Sequence, residues 1–292
     1  MMGTKMVKQL RDALSNLNPD EVRREAETPV IVELFASDQD GYRRMGKFFV
    51  PPEVTESKRK ELRTVLFRAG EATSQPTLRI YEEGMPHGPD DFTFYHDRPN
   101  DTVREILDRH PDLALALGRR FPCFRNVVVD RIIREVSKEN ALFSLATAVP
   151  YIMPFVSLPW AIGEFASDTA FLTMNQVRML FRIAAASDRE VGYKEQRTQI
   201  ASLVAGAFGW RALARELVGK IPLGGGLIPK AAVAYAGTYV VGTSFERFYR
   251  LGYGFSRAER KAAYQGASEK GKAVASSLME SYRRHQPAST RG

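Results

Sequence analysis

Hydrophobic and polar positions fall into two regimes along the chain. Up to about residue 120, short apolar runs alternate with helical stripes. Met6, Leu10, Leu14 and Leu17 recur at helical spacing over residues 4–17. Asn18-Pro19-Asp20-Glu21 then reads as an N-cap, a proline at the first helical position and acids in the first turn, and Thr28-Pro29 ends that helix. Val30 to Ala36 is a compact apolar run rich in β-branched residues, the pattern of a buried strand. Pro51-Pro52 opens a helix running through Leu62 and Phe67, closed by Gly70. Leu78-Arg-Ile-Tyr81 and Phe92-Thr-Phe-Tyr95 predict two more strands, separated by the turn-rich stretch from Gly84 to Pro89. Residues 100–119 predict helix, interrupted at His110-Pro111.

Beyond Pro122 the strand signals stop. Val127 to Asn140 has an amphipathic helical pattern. Ala141 to Gly163 is 23 residues without a charge, but it contains Pro150, Pro154 and Pro159. Its length and apolarity suit a membrane span. Its prolines do not suit one straight helix, so two short pieces with a bend fit better. From Glu164 to Ser187 a helix is expected in which Glu164, Asp168, Asn175, Arg178 and Arg182 fall within about 40° of one line at 100° per residue; Gln176, next to Asn175 in the chain, is a further interaction candidate. That line is either the solvated face of a core helix or a polar seam facing a partner or another helix. Both readings make it a poor membrane span. Ile221 to Phe245 is a second apolar stretch, with Lys230 as its one charge and Pro222, Gly224–Gly226 and Pro229 breaking its first third. Within it, Ala234, Thr238 and Gly242 form a stripe of small residues that lets another helix approach closely. Ser256-Arg-Ala-Glu259 is a capping box that starts a last helix. Residues 285–292 read as a disordered tail.

These elements predict an α+β protein: an N-terminal helical segment (1–26), a small α/β domain (27–120) and a mainly helical domain (121–284) with two Pro/Gly-broken apolar segments, 141–163 and 221–245.

Composition supports a folded chain, with 44% hydrophobic and 26% charged residues. The net charge of +8 is unevenly placed: residues 1–120 hold 19 Lys and Arg against 21 acids, and residues 121–292 hold 23 against 13. The cationic surplus therefore lies with the apolar segments, which suits an anionic membrane surface or an acidic partner. No RNP, zinc-finger or helix-turn-helix pattern accompanies it, so nucleic acid is not expected. The one cysteine, Cys123, permits no internal disulfide and fits a reducing compartment as a small buried hydrophobe. The N-terminal stretch carries charges throughout and is not expected to be a signal peptide.

The search for chemistry finds little. His87, His96, His110 and His285 stand at no metal-ligand spacing, and the serine-hydrolase and zinc-protease motifs are absent. His96-Asp97 offers an orienting pair without a nucleophile. No catalytic residue, metal or cofactor is expected. The first strand is followed by Ala36-Ser-Asp-Gln-Asp-Gly41-Tyr42-Arg43, where a P-loop would place glycines, a lysine and a hydroxyl. Only Gly41 matches. Tyr42 stands for the lysine, Arg43 for the hydroxyl, and Asp38 and Asp40 direct negative charge at the phosphate position. The segment Ala36, Gly41, Tyr42, Arg43 reads either as an eroded P-loop in a degenerate domain or as a turn of a small α/β domain that never was a GTPase.

Leu172-Thr-Met-Asn-Gln176-Val-Arg-Met179, preceded by Pro159 and Asp168, is similar to a GTPase-associated helical domain of unknown function. So is the run Ile221-Pro-Leu-Gly-Gly, Lys230-Ala, Ala236-Gly-Thr238, Gly242, Phe248-Tyr249, Gly252. That domain follows Era-like small GTPases and occurs in the YcjF inner-membrane family. The resemblance covers about residues 120–255. It implies a bacterial helical domain on the cytoplasmic face of a membrane, coupled to a GTPase or other protein partner, and it supplies no catalytic residues. The expectation is a non-enzymatic, membrane-proximal interaction or regulatory protein. The alternatives are a soluble cytoplasmic scaffold whose apolar stretches are bundle core, and a divergent nucleotide-binding protein.

Overall fold

The computed structural model describes residues 12–15, 17–147, 168–205 and 227–285. They form an α+β protein, mostly helical, with one four-stranded parallel sheet. Its contacts separate two compact units: Asp20–Arg131 with Ala184–Val191, and Met1–Pro19 with Ile132–Ile183 and Gly192–Gly292.

The first unit is built on the order α1 (Pro19–Glu27), β1 (Val32–Phe35), α2 (Gln39–Phe49), α3 (Glu56–Leu62), β2 (Leu66–Arg68), β3 (Leu78–Glu82), β4 (Phe92–Phe94), α4 (Pro99–Arg109) and α5 (Ala114–Arg120). The strand order is β2-β1-β3-β4. Val32 lies opposite both Leu66 and Leu78, and Ile80 opposite Phe92. Helices α2 and α3 make the crossover from β1 to β2. The other two crossovers, residues 69–77 and 83–91, contain no helix. A parallel pair ordinarily needs a dozen or more connecting residues. Strands of three to five residues are short enough for a loop to run back beside them.

Period-2 alternation sets the core. Val32, Leu34, Leu78, Ile80, Phe92 and Phe94 are buried, and Phe49 of α2 meets Phe94, Phe121 and Phe124. On the opposite face Phe35 stacks on its register partner Tyr81 with ring centroids 4.2 Å apart.

Two expectations for this region are corrected. The helix expected from Pro51 to Gly70 is only Glu56–Leu62, capped by Thr55, and Leu66–Arg68 is the edge strand β2. Three residues carry too little periodicity to announce a strand; pairing with β1 makes it one. The N-terminal segment 1–26 is also divided. Its helix α1 belongs to the α/β unit, whereas the Tyr193 hydroxyl, in the helical unit, donates to the carbonyls of Leu14 and Leu17.

Residues 184–191 belong to the α/β unit because its cations hold them. Lys58, only 10% exposed, bonds Asp188 at 3.0 Å, Glu61 at 3.0 Å and the Arg119 carbonyl at 3.1 Å. Arg125 donates to the Ala186 carbonyl and Arg23 to that of Val191. Asp188 adopts a φ of 58°, a left-handed conformation that aspartate tolerates better than most residues.

In the helical unit the long helices are α6 (Pro122–Ala146, from Ile132 onward), α7 (Asp168–Ala186, to Ile183), α8 (Leu227–Leu251) and α9 (Arg257–His285). Residues 197–205 are also helical. Helix α8 is the central element. Its Ala231 and Tyr235 cluster with Ala141, Leu145 and Ala275, and its Ala236 and Val240 with Tyr264 and Ala267. Small residues bring the helices close. A Cβ on Gly271 would stand 2.7 Å from the Ala232 carbonyl oxygen, and one on Gly242 2.8 Å from Ile133 Cγ1. Thr238 and Gly242 of the expected stripe are therefore buried contacts, while Ala234 is half-buried. The capping box forms as its spacing requires: Ser256 N–H donates to Glu259 at 2.9 Å and Glu259 N–H to Ser256 Oγ at 3.3 Å.

Among the described residues no helix is long and apolar enough to cross a membrane. The expectation of membrane-embedded segments finds no support in their described parts. Residues 141–146 and 227–245 lie in α6 and α8, where their apolar side chains pack against protein. Residues 148–163, with Pro150, Pro154, Phe155, Pro159 and Trp160, and residues 221–226 lie outside the described residues, as do Met6, Leu10, Glu164 and 286–292.

Candidate functional site

In an open parallel sheet, ligands bind beyond the carboxyl ends of the strands, where the chain order reverses direction. Here that point lies between β1 and β3. Ser37 follows β1, Glu82 ends β3 and His96 follows β4, so three chemically capable side chains arrive there from three strands.

They converge on Glu82, whose side chain is only 6% exposed. One carboxylate oxygen accepts from the Ser37 N–H at 2.9 Å and the Ser37 hydroxyl at 2.6 Å. The other accepts from Arg44 at 3.0 Å and faces His96 Nε2 at 2.7 Å. These donors, the two from Ser37 above all, hold the Glu82 carboxyl at a pKa of about 2. His96 Nε2 must then carry a proton to donate to the carboxylate.

The segment expected to be an eroded P-loop is a three-residue turn into a capped helix. Only Ala36, Ser37 and Asp38 separate β1 from α2, and Gly41, Tyr42 and Arg43 are already helical. Asp38 caps the helix by accepting from the Gly41 N–H at 2.7 Å. Arg43 pairs with Asp40, and Tyr42 lies under the Arg68 guanidinium at 5.1 Å. A phosphate-cradling loop needs successive free N–H groups. Here Ser37 and Gly41 have given theirs to carboxylates of the same chain.

Nor does the cluster form a hydrolytic triad. Ser37 and His96 both bond to Glu82 rather than to each other, so the histidine is not placed to take the serine proton. A carboxylate held ionised down to about pH 2 is a weak general base. His96 pairs with Glu82, not with its neighbour Asp97. Among the described residues no group of three or more His, Cys, Asp or Glu could hold a metal ion. Desolvation pushes the Cys123 thiol up, keeping it protonated at neutral pH.

In the helical unit the polar line on α7 faces α6. Arg178 pairs with Glu139, both side chains mostly buried, and Arg182 with Glu135 at 3.0 Å. The two pairs are one helical turn apart on each helix and run in opposite chain directions, the register of antiparallel neighbours. Inside them lies a buried amide chain. Asn175 donates to Asn140 at 2.9 Å, Asn140 donates to Thr238 of α8 at 2.7 Å, and Gln176 reaches Thr238 at 3.4 Å. The acids of this seam come from α6. Asp168 begins α7.

Sequence reasoning named Asn175, Gln176, Arg178, Arg182 and Thr238 but missed their partners Glu135, Glu139 and Asn140. The matching signal was the i, i+4 spacing of Glu135 and Glu139 against that of Arg178 and Arg182. It also missed Glu82, which a strand pattern ending in a carboxylate could have flagged.

No family model, curated protein or solved structure matches the chain significantly.

Proposed function

We propose that this is a non-enzymatic, membrane-proximal interaction protein, in which a GTPase-associated helical unit is joined to an α/β unit whose nucleotide turn is closed. The observation that carries this reading is Glu82. An internal carboxylate, ionised and bound by four donor groups, fills the anion position between β1 and β3. A nucleotide phosphate entering there would meet Glu82, Asp38 and Asp40 with no lysine to offset them. The YcjF-type resemblance and the cationic surplus beyond residue 120 favour a helical unit working at the cytoplasmic face of a membrane, beside a GTPase or other protein partner.

Isothermal titration with GTP and ATP is the direct test, run on the full chain and on Glu82→Ala. The expectation is no heat and no thermal shift with the natural chain. Micromolar binding would replace the reading with that of a divergent nucleotide-binding protein. Membrane fractionation with and without a salt wash tests the other half. The packing of residues 227–245 against α9 favours a second reading, a scaffold with no membrane contact. Complete recovery in the soluble fraction would favour it.

A further inference from the structure

The turn between α8 and α9 is tightly built. Gly252, at φ +86°, donates to the Phe248 carbonyl at 2.8 Å and ends α8. Phe255 N–H donates to Ser244 Oγ at 3.1 Å, and the Ser256–Glu259 capping box starts α9. Two large apolar side chains nevertheless face solvent on this fixed turn, Leu251 at 45% and Tyr253 at 56% exposure. Arg247 orients the second, its guanidinium 4.9 Å from the Tyr253 ring while bonded to Glu259 at 2.7 Å.

Cations flank the pair along the chain. Arg250, Arg257, Arg260 and Lys261 are all exposed and lie within two helical turns of the tip. The two acids of the stretch are engaged, Glu246 with Arg250 and Glu259 with Arg247 and its own cap. Residues 246–261 hold five Lys and Arg against those two acids. Exposed leucine and tyrosine on a hydrogen-bonded turn, with long basic side chains next to them in the chain, have the chemistry of an interfacial anchor. The apolar pair enters the headgroup–acyl boundary while the cations meet anionic headgroups.

We infer that the α8–α9 turn docks the protein on an anionic lipid surface through Leu251 and Tyr253, with Arg257, Arg260 and Lys261 supplying the electrostatic attraction. This inference rests on the membrane-proximal reading and assigns its contact surface.

The test is sedimentation of the full chain with vesicles of equimolar phosphatidylcholine and phosphatidylglycerol, and with pure phosphatidylcholine. Binding is expected to the anionic vesicles only, weakening with salt. Removing three cations (Arg257→Gln, Arg260→Gln, Lys261→Gln) should lower partitioning roughly a hundredfold, at about fivefold per charge near the surface. Leu251→Asn with Tyr253→Asn should lower it about tenfold or more. The conservative Tyr253→Trp should retain it, and a far-ultraviolet spectrum and melting curve like the natural chain's confirm that each variant is folded. If the natural chain ignores both vesicles, the membrane-proximal reading fails and this inference with it. Should it bind while folded variants bind equally well, only the assignment to this turn fails. Turn-dependent binding to polyglutamate or duplex DNA without binding to vesicles would overturn the lipid assignment.

Discussion

Gly41 lies against the carboxylate of Glu82, so that a Cβ at position 41 would stand 2.6 Å from both of its oxygens. Alanine is the better helix former by about 1 kcal/mol, which alone would make Gly41→Ala stabilising in α2. The clash outweighs that gain. The Glu82 carboxylate is held by four donor groups on three residues, so it cannot swing aside without releasing Ser37, Arg44 and His96. Gly41→Ala should therefore cost about 1–3 kcal/mol in urea denaturation. In a Glu82→Ala background the same substitution should be neutral or stabilising, and equal costs in both backgrounds would refute the contact.

The pH dependence of this site has a definite sign. The Glu82 carboxyl is held at about pKa 2 in the folded chain, below its ordinary value near 4.5. Protons therefore bind the unfolded chain first as the pH falls. The stabilisation is complete above about pH 4.5 and is lost between there and about pH 2. Thermal melts over that window should show Glu82→Gln losing less stability with acid than the natural chain. At pH 7 Glu82→Gln should be the less stable of the two, by roughly 2 kcal/mol, because the amide keeps one acceptor oxygen and turns an NH2 group toward the donors on the other side.

Much of the fold was legible in the sequence where one element carries its own pattern. The Val30–Ala36 run, the capping box at Ser256 and the change of regime near Pro122 each needed only local rules. What was not legible depends on pairing across the chain. Leu66–Arg68 becomes a strand only because β1 offers it a partner. Lys58 stands in the charged run Glu56 to Glu61, yet it is nearly buried because Asp188, far along the chain, comes to it. Glu82 likewise means nothing as a letter, and becomes a site only when β1 and β4 bring Ser37 and His96 to its two oxygens.

The Lys58–Asp188 pair should be measurable in its own right. Asp188→Ala removes one of the two carboxylate partners of a cation that is only 10% exposed and places a β-carbon residue without a polar side chain at φ 58°. Both effects oppose folding, and a loss of about 1–3 kcal/mol is expected. Asp188→Gly relieves the backbone cost but not the lost ion pair, so it should fall between Asp188→Ala and the natural chain.

Asn140 joins three helices by accepting from Asn175 and donating to Thr238. Replacing it with leucine removes both bonds and leaves the buried Asn175 and Thr238 only their longer contacts, to Glu139 and Gln176 at 3.4 Å, at a cost of roughly 2–4 kcal/mol. Thr238→Val alone should cost less, about 1–2 kcal/mol. Because the two residues share one bond, the double variant should be less destabilised than the sum of the singles. Strict additivity in a denaturation cycle would show that they do not interact.

Gly242 tests how tightly α8 is seated. A Cβ there would stand 2.8 Å from Ile133 Cγ1 and 3.0 Å from Met179 Sδ, one contact on α6 and one on α7. The thioether is flexible and can yield. The β-branched isoleucine is stiff and cannot move its Cγ1 without leaving its rotamer. The cost of Gly242→Ala should therefore come mainly from Ile133, about 1–3 kcal/mol, larger than the roughly 1 kcal/mol gained in helix propensity. Ile133→Ala removes the clashing atom, so in that background Gly242→Ala should recover most of its own cost. Met179→Ala should recover little. If Met179→Ala rescues and Ile133→Ala does not, α8 is held by α7 rather than by α6.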